Sequence, residues 1–311
     1  MPLAAKGLQG RDQVVRQGIE ANPEQCRVRL PQGIGLRGLG KKSKKPCTTW
    51  RRSTWTRITP WLGNGRAIFF ASGSAGQAVD YYSRAIDANP LDKEAFMLRG
   101  NAQTSLGNLP EAVTDYNLVL ALDADDPDAW FNLANVQVRQ NNAYEAMKAY
   151  SMVLEKRPGD RDAHLNRGII LLALELKDDA RIDFDSAIAA DTTFATSWWN
   201  KAFLHAELEQ YDEAMTAVLK ATELAPKEPE GWLLMGRIFF KQRRYKDAIA
   251  AYDRCISLDK TASEAFLNRG EAKRVLGDYK GACKDWHQVL KVDTGPTAEK
   301  AQVWIEINCR D

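Results

Sequence analysis

Residues 127–160 read PDAWFNLANVQVRQNNAYEAMKAYSMVLEKRPGD. Trp130 and Ala134 stand one helical turn apart, and Ala146, Tyr150 and Val153 recur at spacings of four and three, which puts each set on one face of a helix. Asp126-Pro127 sets proline where a helix can begin, and Pro158-Gly159 closes the segment. The stretch reads as two amphipathic helices joined by a short turn.

The same pattern recurs without insertion or deletion in six blocks of 34 residues that begin at Lys93, Pro127, Arg161, Ala195, Pro229 and Ser263. The eighth position is Gly100, Ala134, Gly168, Ala202, Gly236 or Gly270, and the twentieth is alanine throughout (Ala112, Ala146, Ala180, Ala214, Ala248, Ala282). The fourth position is large (Phe96, Trp130, His164, Trp198, Trp232, Phe266), as is the twenty-fourth (Tyr116, Tyr150, Phe184, Val218, Tyr252, Trp286). Small residues let the two helices of a hairpin approach closely while bulky ones fill the gap to the neighbouring block. One hairpin cannot bury its apolar face alone, so the blocks must stack.

A 34-residue unit with large, small, alanine and aromatic residues at positions 4, 8, 20 and 24, often with proline at 32, resembles the tetratricopeptide repeat family. The resemblance covers 204 of the 311 residues strictly. It implies an all-α fold, a right-handed α-solenoid of stacked 34-residue helical hairpins over residues 67–311. A degraded repeat at 59–92 precedes the six full ones at 93–296: Ala78, Tyr82, Ala85 and Pro90 sit in register, but Gly63, Asn64 and Gly65 replace the packing residues of its first helix. Residues 297–309 are expected to form a capping helix with Val303, Trp304 and Ile307 as its buried side.

The net charge of +2 conceals two opposed compositions: residues 1–66 hold 14 Lys and Arg against 3 Asp and Glu, leaving 29 against 38 for the rest. No acid occurs in the 55 residues between Glu24 and Asp80. This basic Gly/Arg/Trp-rich segment reads either as non-native or disordered sequence or as a basic arm. As an arm, Lys41, Lys42, Lys44, Lys45, Arg51, Arg52 and Arg57 interleave with Trp50, Trp55 and Trp61, which suits nucleic acid or an anionic surface. No apolar run is long enough to span a bilayer and no secretory signal is visible, so a cytoplasmic location is the default expectation. The five cysteines are odd in number and widely spaced, and they read as reduced thiols rather than a disulfide framework or a zinc site.

The repeats carry no motif of a known catalytic or cofactor-binding type, so an enzyme, a metal, a cofactor and a small-molecule substrate are not expected. His164 and His205 fall on core positions 4 and 11. What remains is a protein or peptide partner bound on the concave wall, which in this family is formed by positions 2, 5, 6, 9, 12 and 13 of the first helices. Asn132, Asn166, Asn200 and Asn268 hold position 6, and Asn101 and Asn135 hold position 9. An amide side chain both donates and accepts, so such a ladder can pair with the backbone of an extended peptide. A similar ladder lines the repeats of the glycosyltransferase that attaches N-acetylglucosamine to Ser and Thr. Phe131 and Trp199 at position 5 are the expected apolar anchors, and Asp128 and Asp162 at position 2 edge the groove with negative charge. Chaperone-binding relatives grip a terminal carboxylate with Lys, Asn, Asn, Lys and Arg; here Asn101 and Asn132 match, but Met97, Asp162 and Asn166 stand in the basic places. That clamp is therefore not expected.

Overall fold

The computed structural model describes residues 75–309. The basic segment and the first helix of the degraded repeat lie outside the described residues. Fourteen α-helices and no strand occur among the described residues, which divide into two compact units between Leu176 and Lys177. The first unit holds α1 (Ala75–Ala88), α2 (Lys93–Leu106), α3 (Leu109–Leu122), α4 (Pro127–Arg139), α5 (Ala143–Lys156) and α6 (Arg161–Ala173). The second holds α7 (Lys177–Ala190), α8 (Ala195–Glu207), α9 (Tyr211–Leu224), α10 (Pro229–Lys241), α11 (Tyr245–Leu258), α12 (Ser263–Val275), α13 (Tyr279–Val292) and α14 (Pro296–Asn308). Within each unit the helices pack on their neighbours in chain order, which is the all-α, α-solenoid arrangement of stacked hairpins. No helix among the described residues is long and apolar enough to cross a membrane.

Helices α2, α4, α6 and α13 begin where a carboxylate satisfies their exposed N–H groups. The carboxylate of Asp126 accepts from the backbone of Asp128 and Ala129 (both 3.0 Å), and those of Asp92 and Asp160 accept from Ala95 (3.0 Å) and Ala163 (2.9 Å). Inside each of the six full hairpins the chain turns through the left-handed region at position 15. That place is taken by Gly107 (φ 84°) and Gly277 (φ 86°), but also by Asn141, Glu175, Glu209 and Arg243 (φ 58° to 63°). Glycine adopts this conformation without a steric penalty, and Glu or Arg does not.

Packing follows the periodicity. All six position-20 alanines are fully buried, and the six residues at position 24 are at most 1% exposed. Gly100, Gly236 and Gly270 at position 8 are needed for contact: a Cβ on Gly236 would meet the Tyr252 ring at 2.4 Å, and one on Gly100 would meet Tyr116 at 2.8 Å. At position 4 Phe96 and Phe266 are buried, while Trp130, His164, Trp198 and Trp232 are half-buried and pin the loop before their helix. The indole N–H groups of Trp130, Trp198 and Trp232 donate to the carbonyls of Ala124 (2.8 Å), Thr192 (2.9 Å) and Pro226 (3.1 Å), and His164 Nε2 meets the Pro158 carbonyl at 2.9 Å. Each partner lies six residues back, so one ring fixes the joint between successive hairpins.

Two expectations fail at the end of the second unit. The capping helix starts at Pro296, and it buries Ala298 and Ala301 with Trp304 and Ile305 partly covered. Val303 is 51% and Ile307 66% exposed, so they are not its buried side. Counted from Pro296, Val303 occupies position 8, which in complete blocks faces the second helix of the same hairpin, and no such helix follows among the described residues. The cysteines are not all reduced thiols either: Cys283 of α13 and Cys309 after α14 are joined in a disulfide, while Cys255 remains a buried thiol.

Candidate functional site

In the first unit the wall is built by α2, α4 and α6. Asn101 of α2 accepts through Oδ1 from the Tyr116 hydroxyl (2.7 Å) and from Nδ2 of Asn132 on α4 (3.2 Å), whose amide also points at Met97 Sδ (3.4 Å). Asn135 of α4 accepts from the Tyr150 hydroxyl at 2.5 Å. Burial pushes the Tyr116 hydroxyl up to about 12 and raises that of Tyr150 as well, so both phenols stay neutral donors at ordinary pH. Part of the asparagine ladder thus serves to satisfy tyrosines that would otherwise be buried without partners. After these bonds are made, Oδ1 of Asn132 and Nδ2 of Asn135 have no partner among the described residues, and both side chains are half-exposed. Asn166 of α6 lies against the Tyr150 hydroxyl outside hydrogen-bond geometry, and its Nδ2 is buried without a partner.

The other expected wall residues of this unit are engaged. Phe131 is half-buried and packs edge-on against Tyr150, with centroids 5.7 Å apart. Asp128 forms an ion pair with Arg157 (2.7 Å), and Asp162 with Arg161 (2.7 Å). Both acids therefore face a guanidinium, and the groove edge is not the uncompensated negative rim that the spacing of the acids suggests.

In the second unit Asn200 departs from expectation. It is 1% exposed, its Nδ2 donates to the Thr196 carbonyl (2.9 Å) and its Oδ1 is buried without a partner. Asn200 does not present a ligand-facing amide. Asn268 is half-exposed and unengaged among the described residues. Trp199 stacks on Phe203 (5.7 Å, 19° between planes), and the Arg237 guanidinium lies 5.8 Å from the Phe203 centroid. Beside this group a cleft of about 190 Å³ is lined by Glu207, Glu209, Tyr211, Arg237 and Lys241, among others. It is smaller than the roughly 300 Å³ at which small-molecule sites begin.

A second polar system, at spacing 16, escaped the sequence reading. Asp115 is 2% exposed and binds Arg99 through two bonds (2.9 and 2.6 Å), and Asp285, 3% exposed, binds Arg269 likewise while also taking Lys273 (2.8 Å). Each arginine also reaches position 25 of the preceding block, Ser83 for Arg99 (3.2 Å) and Asp253 for Arg269 (2.6 Å). These cations hold three helices together. Among the described residues no group of His, Cys, Asp and Glu is arranged to hold a metal ion.

Family models described as TPR repeat or tetratricopeptide repeat match residues 100–141, 131–193, 195–228 and 229–262. Hsc70-interacting protein 1 of Drosophila melanogaster is 29% identical over 98 residues, which is 32% of this chain and 25% of that protein. Human DnaJ homolog subfamily C member 7 is 29% identical over 114 residues, 36% of this chain and 22% of that protein. The regions matched thus span about a quarter of these relatives' own lengths. A tetratricopeptide repeat protein from Parabacteroides merdae superposes with a TM-score of 0.62 over 79% of this chain and 96% of its own, at 18% identity, a likeness of fold.

Proposed function

Because the chain belongs to the tetratricopeptide repeat family, we propose that it is a non-catalytic protein-interaction scaffold that holds an extended segment of a partner along the first-helix wall of its first unit. The observation that carries this reading is the pair of unused groups on α4: an acceptor on Asn132 and a donor on Asn135, one helical turn apart and beside Phe131. An extended backbone offers the complementary N–H and C=O whatever its side chains are. The interaction class is also supported by a relative named for its partner, an Hsc70-interacting protein. Since Asp128 and Asp162 already face arginines, the reading requires no basic ligand.

The test is affinity capture with the full chain as bait, followed by binding measurements on the isolated partner. A neutral hydrogen bond contributes about 0.5–1.5 kcal/mol, and trimming an anchor contributes a similar amount. Asn132→Ala combined with Phe131→Leu should therefore weaken binding roughly 10-fold while the melting temperature barely moves. Unchanged affinity would place the ligand on another surface.

A further inference from the structure

We propose that Cys283 and Cys309 are a redox-controlled latch on the capping helix α14. The two residues are 26 apart in sequence with Cα atoms 5.8 Å apart, and their disulfide ties the end of α14 to α13. The noncovalent hold on that helix is thin. Its buried residues are two alanines, Ala298 and Ala301; Trp304 meets the Trp286 ring edge-on at 5.3 Å; Ile305 is partly covered; and Val303 and Ile307 point outward. The two ends are fastened differently. At the N-terminal end the Asp293 carboxylate accepts from the Gly295 N–H (2.8 Å), whereas in the last turn the Asn308 side chain bonds within the helix, to the Trp304 carbonyl (2.9 Å), and the Asn308 carbonyl meets α13 only at Cys283 Sγ (3.8 Å), one of the two latch atoms. The latch therefore acts at the end of the helix that is otherwise held by the partly covered Trp304 and Ile305.

What the helix covers gives the latch its consequence. Trp286 and Val289 are fully buried and share one apolar cluster with Ala298 and Ala301. If the C-terminal turns of α14 loosen, the indole of Trp286 is the first large side chain uncovered, at the end of the second unit. Closure is a thiol–disulfide exchange: the two thiols give up two protons and two electrons to a small disulfide such as oxidised glutathione, which leaves as two thiols through a mixed-disulfide intermediate. A reduced dithiol reverses it. Cys255 takes no part, being buried on α11 and outside the disulfide.

The test uses the full chain equilibrated in glutathione buffers from reducing to oxidising, read by thiol alkylation with mass spectrometry and by hydrogen exchange. In excess oxidised glutathione Cys283 and Cys309 should resist alkylation as a pair. On reduction, exchange in residues 303–309 should accelerate by 10-fold or more, with roughly 300-fold as the upper bound from closing a loop of this length. Exchange in α8 to α11 should not change, and the double variant Cys283→Ser, Cys309→Ser should behave like the reduced parent in every buffer. Identical exchange of α14 in both buffers would overturn the proposal, as would a pair that stays open to alkylation in the oxidising one.

Discussion

Gly270→Ala adds one methyl group at the crossing of α12 and α13, where the structure leaves no room for it. The new Cβ would lie 2.4 Å from Trp286 Nε1 and 2.8 Å from Cδ1, about 1 Å inside ordinary contact. The indole cannot retreat cheaply, because it is fully buried, donates to the Leu267 carbonyl (3.3 Å) and is backed by Trp304. Overpacking of this kind costs about 1–3 kcal/mol, and losing the indole bond about 1 more. Replacing glycine inside a helix returns about 1 kcal/mol. The net expectation is a loss of about 1–3 kcal/mol, measured as a lower urea midpoint, with lost hydrogen-exchange protection centred on α12 to α14 because repeats couple mainly to neighbours. Ala134 beside Tyr150 is a native precedent for alanine against a slimmer ring, so Trp286→Tyr in the Gly270→Ala background should recover part of the loss. A Gly270→Ala variant as stable as the parent would refute the claim that hairpin spacing is set by position 8 against position 24.

Other outcomes follow from single sites. Arg243→Gly should raise stability by about 0.5–1 kcal/mol, because an exposed arginine at φ 61° carries a left-handed penalty that glycine avoids; a lower urea midpoint would contradict this. Asp115→Ala should cost about 3 kcal/mol by leaving Arg99 unpaired in a mostly buried site, whereas Asp128→Ala, which breaks an exposed pair, should change stability by less than about 1 kcal/mol. Burial pushes the Tyr116 hydroxyl up to about 12 and raises those of Tyr150 and Tyr252. A raised value means the fold favours the neutral phenol, so stability is complete below the unfolded value near 10 and falls as pH climbs through the folded one, by about 3 kcal/mol for Tyr116 alone. Ultraviolet absorbance should show these tyrosines ionising only as helicity is lost, and ionisation of all nine tyrosines near pH 10 in a still-helical chain would contradict it.

The hairpins were legible because positions 8, 20 and 24 are fixed by contact: an alanine that must be fully buried six times leaves a period that survives any change in surface residues. The wall was less legible. Asn101 and Asn135, at position 9, hold tyrosine hydroxyls fifteen residues further on, whereas Asn200, at position 6, folds back on its own helix. A ladder read by residue type alone cannot separate these roles, but the Asn-to-Tyr spacing could have. Arg99 with Asp115 and Arg269 with Asp285 were likewise present at a constant spacing of 16. The buried face of α14 was misread because its start at Pro296 is one residue early, which turns the helix by about 100°. The pairing of Cys283 with Cys309 depends on how that helix docks, which no spacing in the sequence encodes.

The central claim is that partners are held on the first-helix wall of the first unit. It is tested most directly by placing a photo-cross-linking phenylalanine analogue at Phe131 on that wall and, in a separate full-length chain, at Leu118, which is 39% exposed on the second helix α3. With the captured partner bound, irradiation should yield a covalent adduct from position 131 and none from position 118. An adduct from position 118 alone would contradict the account.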